Sequence, residues 1–326
     1  MTLVHEHFFI DLDVWLTEPK TESERRLADA RVGPEIKYEL ERDPFSVRDN
    51  LHLDDDELAV AELSLFARAG GRTAVDLTPG DIGRDPARLR RLAHAAHVQV
   101  IMGCGHYIAR AHPPELSARR EDELADEMRR QVLEGVPVAE GPPVRAGVIG
   151  EIGTSDPITP GERTVLAAAA AVQTETGAPL FLHLDPWARR GHEALDIAEA
   201  AGAELARVAL CHLDPTLPDT DYHRSLAERG ATVCYDIWGN EAGYGGKGMP
   251  TDAARVEGLD VAIDQGWIDR VGVSHDVCTK TQLRRFGGPG YAHLLENVVP
   301  ALARRHGPEL VSLLFEQTPR RLLAWA

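Results

Sequence analysis

The chain has 326 residues, 43% of them hydrophobic, and a formal net charge of −17 at pH 7. That length and apolar content suffice for one large buried core, while the acidic excess excludes a nucleic-acid groove or an anionic membrane surface, both of which need a basic stripe. No apolar run reaches about 18 residues, no signal-like segment opens the chain, and Cys104, Cys211, Cys234 and Cys278 fall singly, so a soluble cytoplasmic protein with reduced thiols is expected.

In chain order, Thr2-Leu3-Val4-His5-Glu6-His7-Phe8-Phe9-Ile10 reads as a strand, and His5 and His7, two residues apart, share one face of it. Residues 12–50 follow as a charged insertion with Pro19, Pro34 and Pro44, long enough to cover a site, with a helix expected at Thr21–Arg31. Then a cycle sets in. Helices are expected at Asp54–Ala69, Asp85–His97, Ser117–Glu134, Pro160–Thr176, Gly191–Ala201, Asp219–Arg229 and Asp252–Gln265. Between them lie short apolar runs at Arg72–Thr78, Val98–Gly103, Arg145–Glu151, Ala178–His183, Arg207–His212, Ala231–Asp236 and Arg270–His275. Gly290–His306 and a last helix within residues 309–326 close the chain. With the first, that makes eight strands, each apolar on both faces, alternating with helices. The pattern points to a (β/α)8 TIM barrel of α/β class, as a single domain over residues 1–326. No strand is followed by Gly-x-Gly-x-x-Gly or Gly-Lys-Ser/Thr, which weighs against nucleotide binding.

In such a barrel the reactive rim is at the C-terminal strand ends. His5, His7, Glu151, His183, His212 and Asp276 all fall there. Any one of them is ordinarily a hydrogen-bonded cap; six on one rim make a bed for two divalent ions. Imidazole with carboxylate suits zinc, and also manganese, cobalt or iron. Two ions, two carboxylates and a bridging hydroxide would leave one positive charge to polarise a carbonyl or phosphoryl oxygen, and metal coordination brings water's pKa to roughly 7. Asp276 would both ligate and accept a proton. Asp76 and Asp236 are either carboxylates that orient histidines or loop caps. His52, His94, His97, His112, His192, His223, His293 and His306 are expected in solvent, and His275 is expected to face away from the rim.

The chain resembles the phosphotriesterase family of the amidohydrolase superfamily, in its phosphotriesterase-related, lactonase-like branch. The resemblance rests on Leu3-Val4-His5-Glu6-His7, Val75-Asp76-Leu77-Thr78-Pro79 with Gly83-Arg84-Asp85-Pro86, Met102-Gly103-Cys104-Gly105-His106-Tyr107 and Gly150-Glu151-Ile152-Gly153-Thr154-Ser155. Cys211-His212-Leu213-Asp214 and Ser274-His275-Asp276-Val277-Cys278, running on to Gly288, complete it. It implies that His5, His7 and Asp276 hold the more buried ion, that His183 and His212 hold the more exposed one, and that Glu151 bridges them. It also implies that Tyr107 stands beside the bridging hydroxide and the substrate carbonyl, and that the protein is a homodimer. Departures from the family are His106 beside Tyr107, the wall Tyr235-Asp236-Ile237-Trp238-Gly239, and a start only four residues before the first ligand.

The expected activity is therefore binuclear-metal-dependent hydrolysis of a small molecule, the hydroxide attacking the carbonyl of a lactone or carboxylic ester. Hydrolysis of an N-acyl amide or a phosphotriester at the same centre is the alternative, and an idle binding protein a further one. Lys280, Arg284 and Arg285 could form an anion site on the last loop or be an ordinary charged loop. Trp15, Trp187, Trp238 and Tyr244 could line an apolar pocket or anchor loops.

Overall fold

The computed structural model describes residues 1–241, 243 and 247–325. Eight parallel strands form the barrel: β1 Thr2–Glu6, β2 Thr73–Asp76, β3 Gln99–Met102, β4 Ile149–Gly153, β5 Leu180–His183, β6 Val208–Leu210, β7 Thr232–Tyr235 and β8 Val271–Val273. They pair in two runs, β1–β2–β3 and β4–β5–β6–β7–β8. One seam is sewn by the Gly147 and Gly150 amides on the carbonyls of Met102 and Cys104, at 2.9 and 2.6 Å. The other is sewn by the Asp276 amide on the His5 carbonyl at 3.2 Å and the His5 amide on Ser274 Oγ at 3.0 Å. The first seam needs glycine: a Cβ on Gly103 would lie 2.0 Å from the Gly150 carbonyl oxygen.

The strands are short because each element ends where its apolar run meets a polar rim. Val4, Val75, Leu77, Val148, Phe181, Ala209, Cys211 and Cys234 form a fully buried cluster on the strands and the residues next to their ends, joined by Leu322 from the C-terminal helix. The larger core lies between the strands and the surrounding helices. A Pro at the first turn and a Thr159–Glu162 capping box start the helix Pro160–Thr176, with the bounds its sequence predicts.

Elsewhere the ends move. The helix expected from Ser117 begins at Glu121, because Pro114–Ala118 is a separate 3-10 turn. The two closing helices are not regular. Wide π-type turns at Leu294–Val298 and Leu313–Gln317 precede Pro300 and Pro319. Proline has no N–H to give and its ring presses on the carbonyl four residues back, so the ladder widens there. In the insertion, the helix expected over Thr21–Arg31 spans Glu22–Ala28, with Thr21 as its cap, and Lys37–Arg42 adds a second. The two ends of the insertion are tied to each other by the pairing of Ile10–Asp11 with His52–Leu53, and its far end is tied to the loop after β8, where Lys280 Nζ is 2.9 Å from Asp49 Oδ1. Among the described residues no helix is long and apolar enough to cross a membrane.

Candidate metal centre

Strand β1 and the residue just past its end deliver two imidazoles, His5 and His7, to one point. Its register with β2 slips between Leu3 and Glu6, and His5 Nε2 and His7 Nε2 end 3.3 Å apart. Asp276 Oδ1 lies 3.1 Å from His7 Nε2 and 3.5 Å from His5 Nε2. Glu151 closes the group, its Oε2 3.5 Å from His5 and its Oε1 3.6 Å from His7. Two donors about 2.1 Å from one ion and about 110° apart stand roughly 3.4 Å from each other, so this set has the spacing of ligands around a single cation. A second set shares Glu151: its Oε2 is 3.2 Å from His183 Nδ1 and 3.6 Å from His212 Nε2, and those nitrogens are 3.0 Å apart. All six side chains predicted as ligands therefore converge.

The surroundings select the ring nitrogen each histidine presents. Asp236 Oδ2 is 2.8 Å from His5 Nδ1, while its Oδ1 accepts the His212 amide at 2.8 Å and faces His212 Nδ1 at 3.2 Å. Thr78 Oγ1 lies 2.9 Å from His7 Nδ1. With their outer nitrogens engaged, His5, His7 and His212 turn Nε2 to the centre. Asp76 acts one step further out, accepting the amides of Phe8 and Thr78 at 2.9 and 3.1 Å.

The electrostatics also call for cations. Burial works against the charged His5, but Glu151, Asp276 and Asp236 override it and raise its pKa to about 9. His212 is raised in the same way, burial being outweighed by Asp236, whereas burial lowers His183. Burial likewise opposes ionisation of Glu151, yet His183 and His5 hold it well below the usual carboxylate range. A buried carboxylate cluster draws positive charge to itself, and a divalent ion supplies it more fully than a proton does. His212 and Asp276 carry left-handed backbones, φ +62° and +51°. Such conformations are rare away from glycine and here swing the His212 and Asp276 side chains inward.

Above the cluster is a small cavity of about 80 Å³ lined chiefly by apolar side chains, among them Leu12, Trp15, Phe45, Trp187, Ile237 and Met249. Tyr107 stands in its wall, ring edge-on to His183 at 4.7 Å between centroids, with its hydroxyl accepting from Trp15 Nε1 at 3.2 Å. Burial, aided by Glu151, pushes the Tyr107 phenol well above its ordinary pKa, so it stays protonated. Its loop lies against β4 closely enough that a Cβ on Gly153 would fall 2.1 Å from the Tyr107 carbonyl carbon.

The proposed anion site is not brought to this cavity. Lys280 is paired with Asp49, and Arg284 with Glu296 and, at 2.7 Å, the Pro289 carbonyl. Arg285 lines a separate crevice of about 680 Å³ with Lys37, Phe286 and His293. Trp238 is also displaced: it is buried in the core with the Arg255 guanidinium 6.0 Å from its ring, and its neighbour Ile237 reaches the cavity instead. Tyr244 lies outside the described residues. Of the histidines expected in solvent, His223 is fully buried between Tyr235 Oη and Thr216 Oγ1, at 2.8 and 2.7 Å.

Two participants were not read from the sequence. Glu6, fully buried between His5 and His7 in the chain, accepts from Ser274 Oγ, the His275 ring and amide, and the Val277 amide, strapping β1 to the β8 loop. A carboxylate inside an apolar strand is a signal in itself, since it needs partners. Thr78 gives no such signal.

The phosphotriesterase family model matches residues 1–323. The human N-acetyltaurine hydrolase is 34% identical over 309 residues, covering 93% of this chain and 87% of that protein. The solved structure of a resiniferatoxin-binding protein from Rhodobacter sphaeroides superposes with TM-score 0.94 at 39% identity, covering 100% of this chain and 92% of the other. A substituted PTE-like lactonase of Deinococcus radiodurans gives TM-score 0.75 at 28% identity, covering 99% and 95%. Two sets of donors that could each hold a metal ion, sharing one carboxylate at the mouth of a (β/α)8 barrel, in a chain matched almost end to end, make this protein a member of the phosphotriesterase family and a binuclear-metal-dependent hydrolase.

Proposed function

We propose that the chain hydrolyses a lactone or small carboxylic ester, with zinc in both positions. In this reading His5, His7 and Asp276 hold one ion, His183 and His212 the other, and Glu151 serves both. Nitrogen and carboxylate donors without thiolate fit zinc. When bound, the ions supply Lewis acidity and water activated at neutral pH.

The chain's own groups do the rest. Tyr107 keeps its proton and offers it as a hydrogen bond to the carbonyl oxygen. Asp276, facing both ligand sets, takes the proton of the attacking water and delivers it to the leaving oxygen. The apolar wall excludes bulk water and receives the uncharged part of the substrate. The lining carries the reading: an apolar cavity with Lys280, Arg284 and Arg285 held outside it suits a neutral carbonyl compound.

One observation favours a second reading, N-acyl amide hydrolysis. Lys247 Nζ stands 4.4 Å from the ring centroid of Trp187, a cavity residue, where it would meet an anionic amine leaving group such as the one in the human relative's named substrate. Chelator-treated protein reconstituted with zinc, manganese or cobalt and assayed on lactones, aryl esters and N-acyl amines decides between them. Turnover of lactones and esters is expected; turnover confined to amides replaces the first reading with the second, and turnover of none removes both.

A further inference from the structure

The insertion after β1 places an indole against the hydroxyl that faces the reaction. Trp15 closes a short 3-10 turn, Asp13–Trp15, and stacks on Phe45, with ring centroids 5.9 Å apart and planes 25° apart. The turn is held by its own segment: the Leu12 amide donates to the Leu51 carbonyl at 3.0 Å and the Thr17 amide to the Phe45 carbonyl at 2.9 Å. Asp13 is paired with Arg48 and, at 3.0 Å, with His52 Nε2. The indole is therefore fixed, and its N–H points at Tyr107 Oη, 3.2 Å away.

An indole nitrogen can only donate, and a phenol has one hydrogen and accepts on its oxygen. Once Trp15 occupies the acceptor side of Tyr107 Oη, the phenolic hydrogen turns away from Trp15. Tyr107 lines the same cavity as His183, His212 and Asp276, and its ring meets that of His183 edge-on at 4.7 Å between centroids. We propose that Trp15 is a positioning residue which, by donating to Tyr107 Oη, aims the Tyr107 hydrogen at the substrate's carbonyl oxygen, so that the 12–50 insertion completes the reactive site and is more than a cover. This rests on the hydrolase reading above, in which Tyr107 donates to the substrate's carbonyl oxygen and Trp15, a part of the apolar wall, acts on the reaction through Tyr107.

The test is a double-mutant cycle on the metal-loaded protein with Trp15→Phe, Tyr107→Phe and the pair, using whichever panel substrate turns over. Tyr107→Phe removes the donor and lowers kcat by roughly 10²–10³-fold, the usual loss for one such group. Trp15→Phe leaves the donor present but free to rotate, and lowers kcat by about tenfold with KM little changed. In the Tyr107→Phe background the Trp15 change costs nothing further. An equal loss in both backgrounds, or none in the parent, overturns the proposal, since a packing role would not depend on the hydroxyl.

A second readout needs no turnover. The indole ¹⁵N–¹H resonance that vanishes in Trp15→Phe should move upfield in Tyr107→Phe as its acceptor is lost. A resonance that stays in place overturns the proposal. Tyr107→Phe, isosteric at a site that keeps its packing, carries this arm, and where Trp15→Phe folds poorly sequential assignment of the parent identifies the Trp15 indole instead. If the metal-loaded parent turns over nothing in the panel while the resonance still moves, the contact is supported and it is the substrate reading that falls.

Discussion

Asp236 is the place where one substitution should separate the two halves of the centre. Its carboxylate is fully buried and serves a histidine of each: Oδ2 at 2.8 Å from His5 Nδ1, and Oδ1 accepting the His212 amide at 2.8 Å. Burial alone would raise its pKa, but His212 and His5 hold it well below the carboxylate range, so it is a full acceptor on both oxygens. In Asp236→Asn only one oxygen remains. The His212 backbone N–H can only donate, so it keeps the carbonyl oxygen, and the NH2 is left facing His5 Nδ1. His5 must then accept there and carry its hydrogen on Nε2, the atom 3.3 Å from His7 Nε2. Loss of such an outer partner typically weakens a metal site by about 10–100-fold, or about 1.4–2.7 kcal/mol. The weakening should fall on the His5–His7 half alone, whereas Asp236→Ala, lacking both acceptors, should weaken both. Titration of chelator-treated protein with buffered zinc, read by elemental analysis alongside circular dichroism, measures this. Two ions bound by Asp236→Asn with parental affinity, or an equal loss at both halves, would refute the assignment of ring nitrogens.

Asp276→Asn should lower kcat by roughly 10²–10⁴-fold, the range for a lost acid–base group, with the circular dichroism spectrum unchanged. Retention of most of the activity would contradict the proton-carrying role. His223 predicts a pH effect on stability remote from the metals. Burial depresses it from its ordinary 6.5 to about 4. Between those values the unfolded chain binds the proton that the folded one refuses, so this stability is complete above pH 6.5 and is lost as pH falls toward 4, by about 3 kcal/mol at most. His223→Gln should flatten that acid limb in urea melts taken across the window; a slope identical to the parent's would show that His223 does not set it.

Much of this protein could be read from its residues in order. Eight apolar runs alternating with helical ones left few folds to choose from, and a polar residue ending each of several strands marked which rim reacts. His5, His7, Glu151, His183, His212 and Asp276 were visible because strand ends in a barrel meet at one mouth whatever the details of packing, and topology alone brings them together. The pocket was not legible in the same way. Lys280 stands in a promising loop, yet whether a cation is available or already engaged depends on where Asp49, 231 residues away, comes to rest. Trp238 and Ile237 are adjacent, and which of them enters the cavity is decided by the local turn of the chain after β7. His223 looks solvated on its helix until Tyr235 and Thr216 close over it. Local pattern determines an element and the rim it ends on, because periodicity is a property of neighbouring residues. Which side chain faces a cavity, and with what partner, is a property of distant ones, and only the folded molecule decides it.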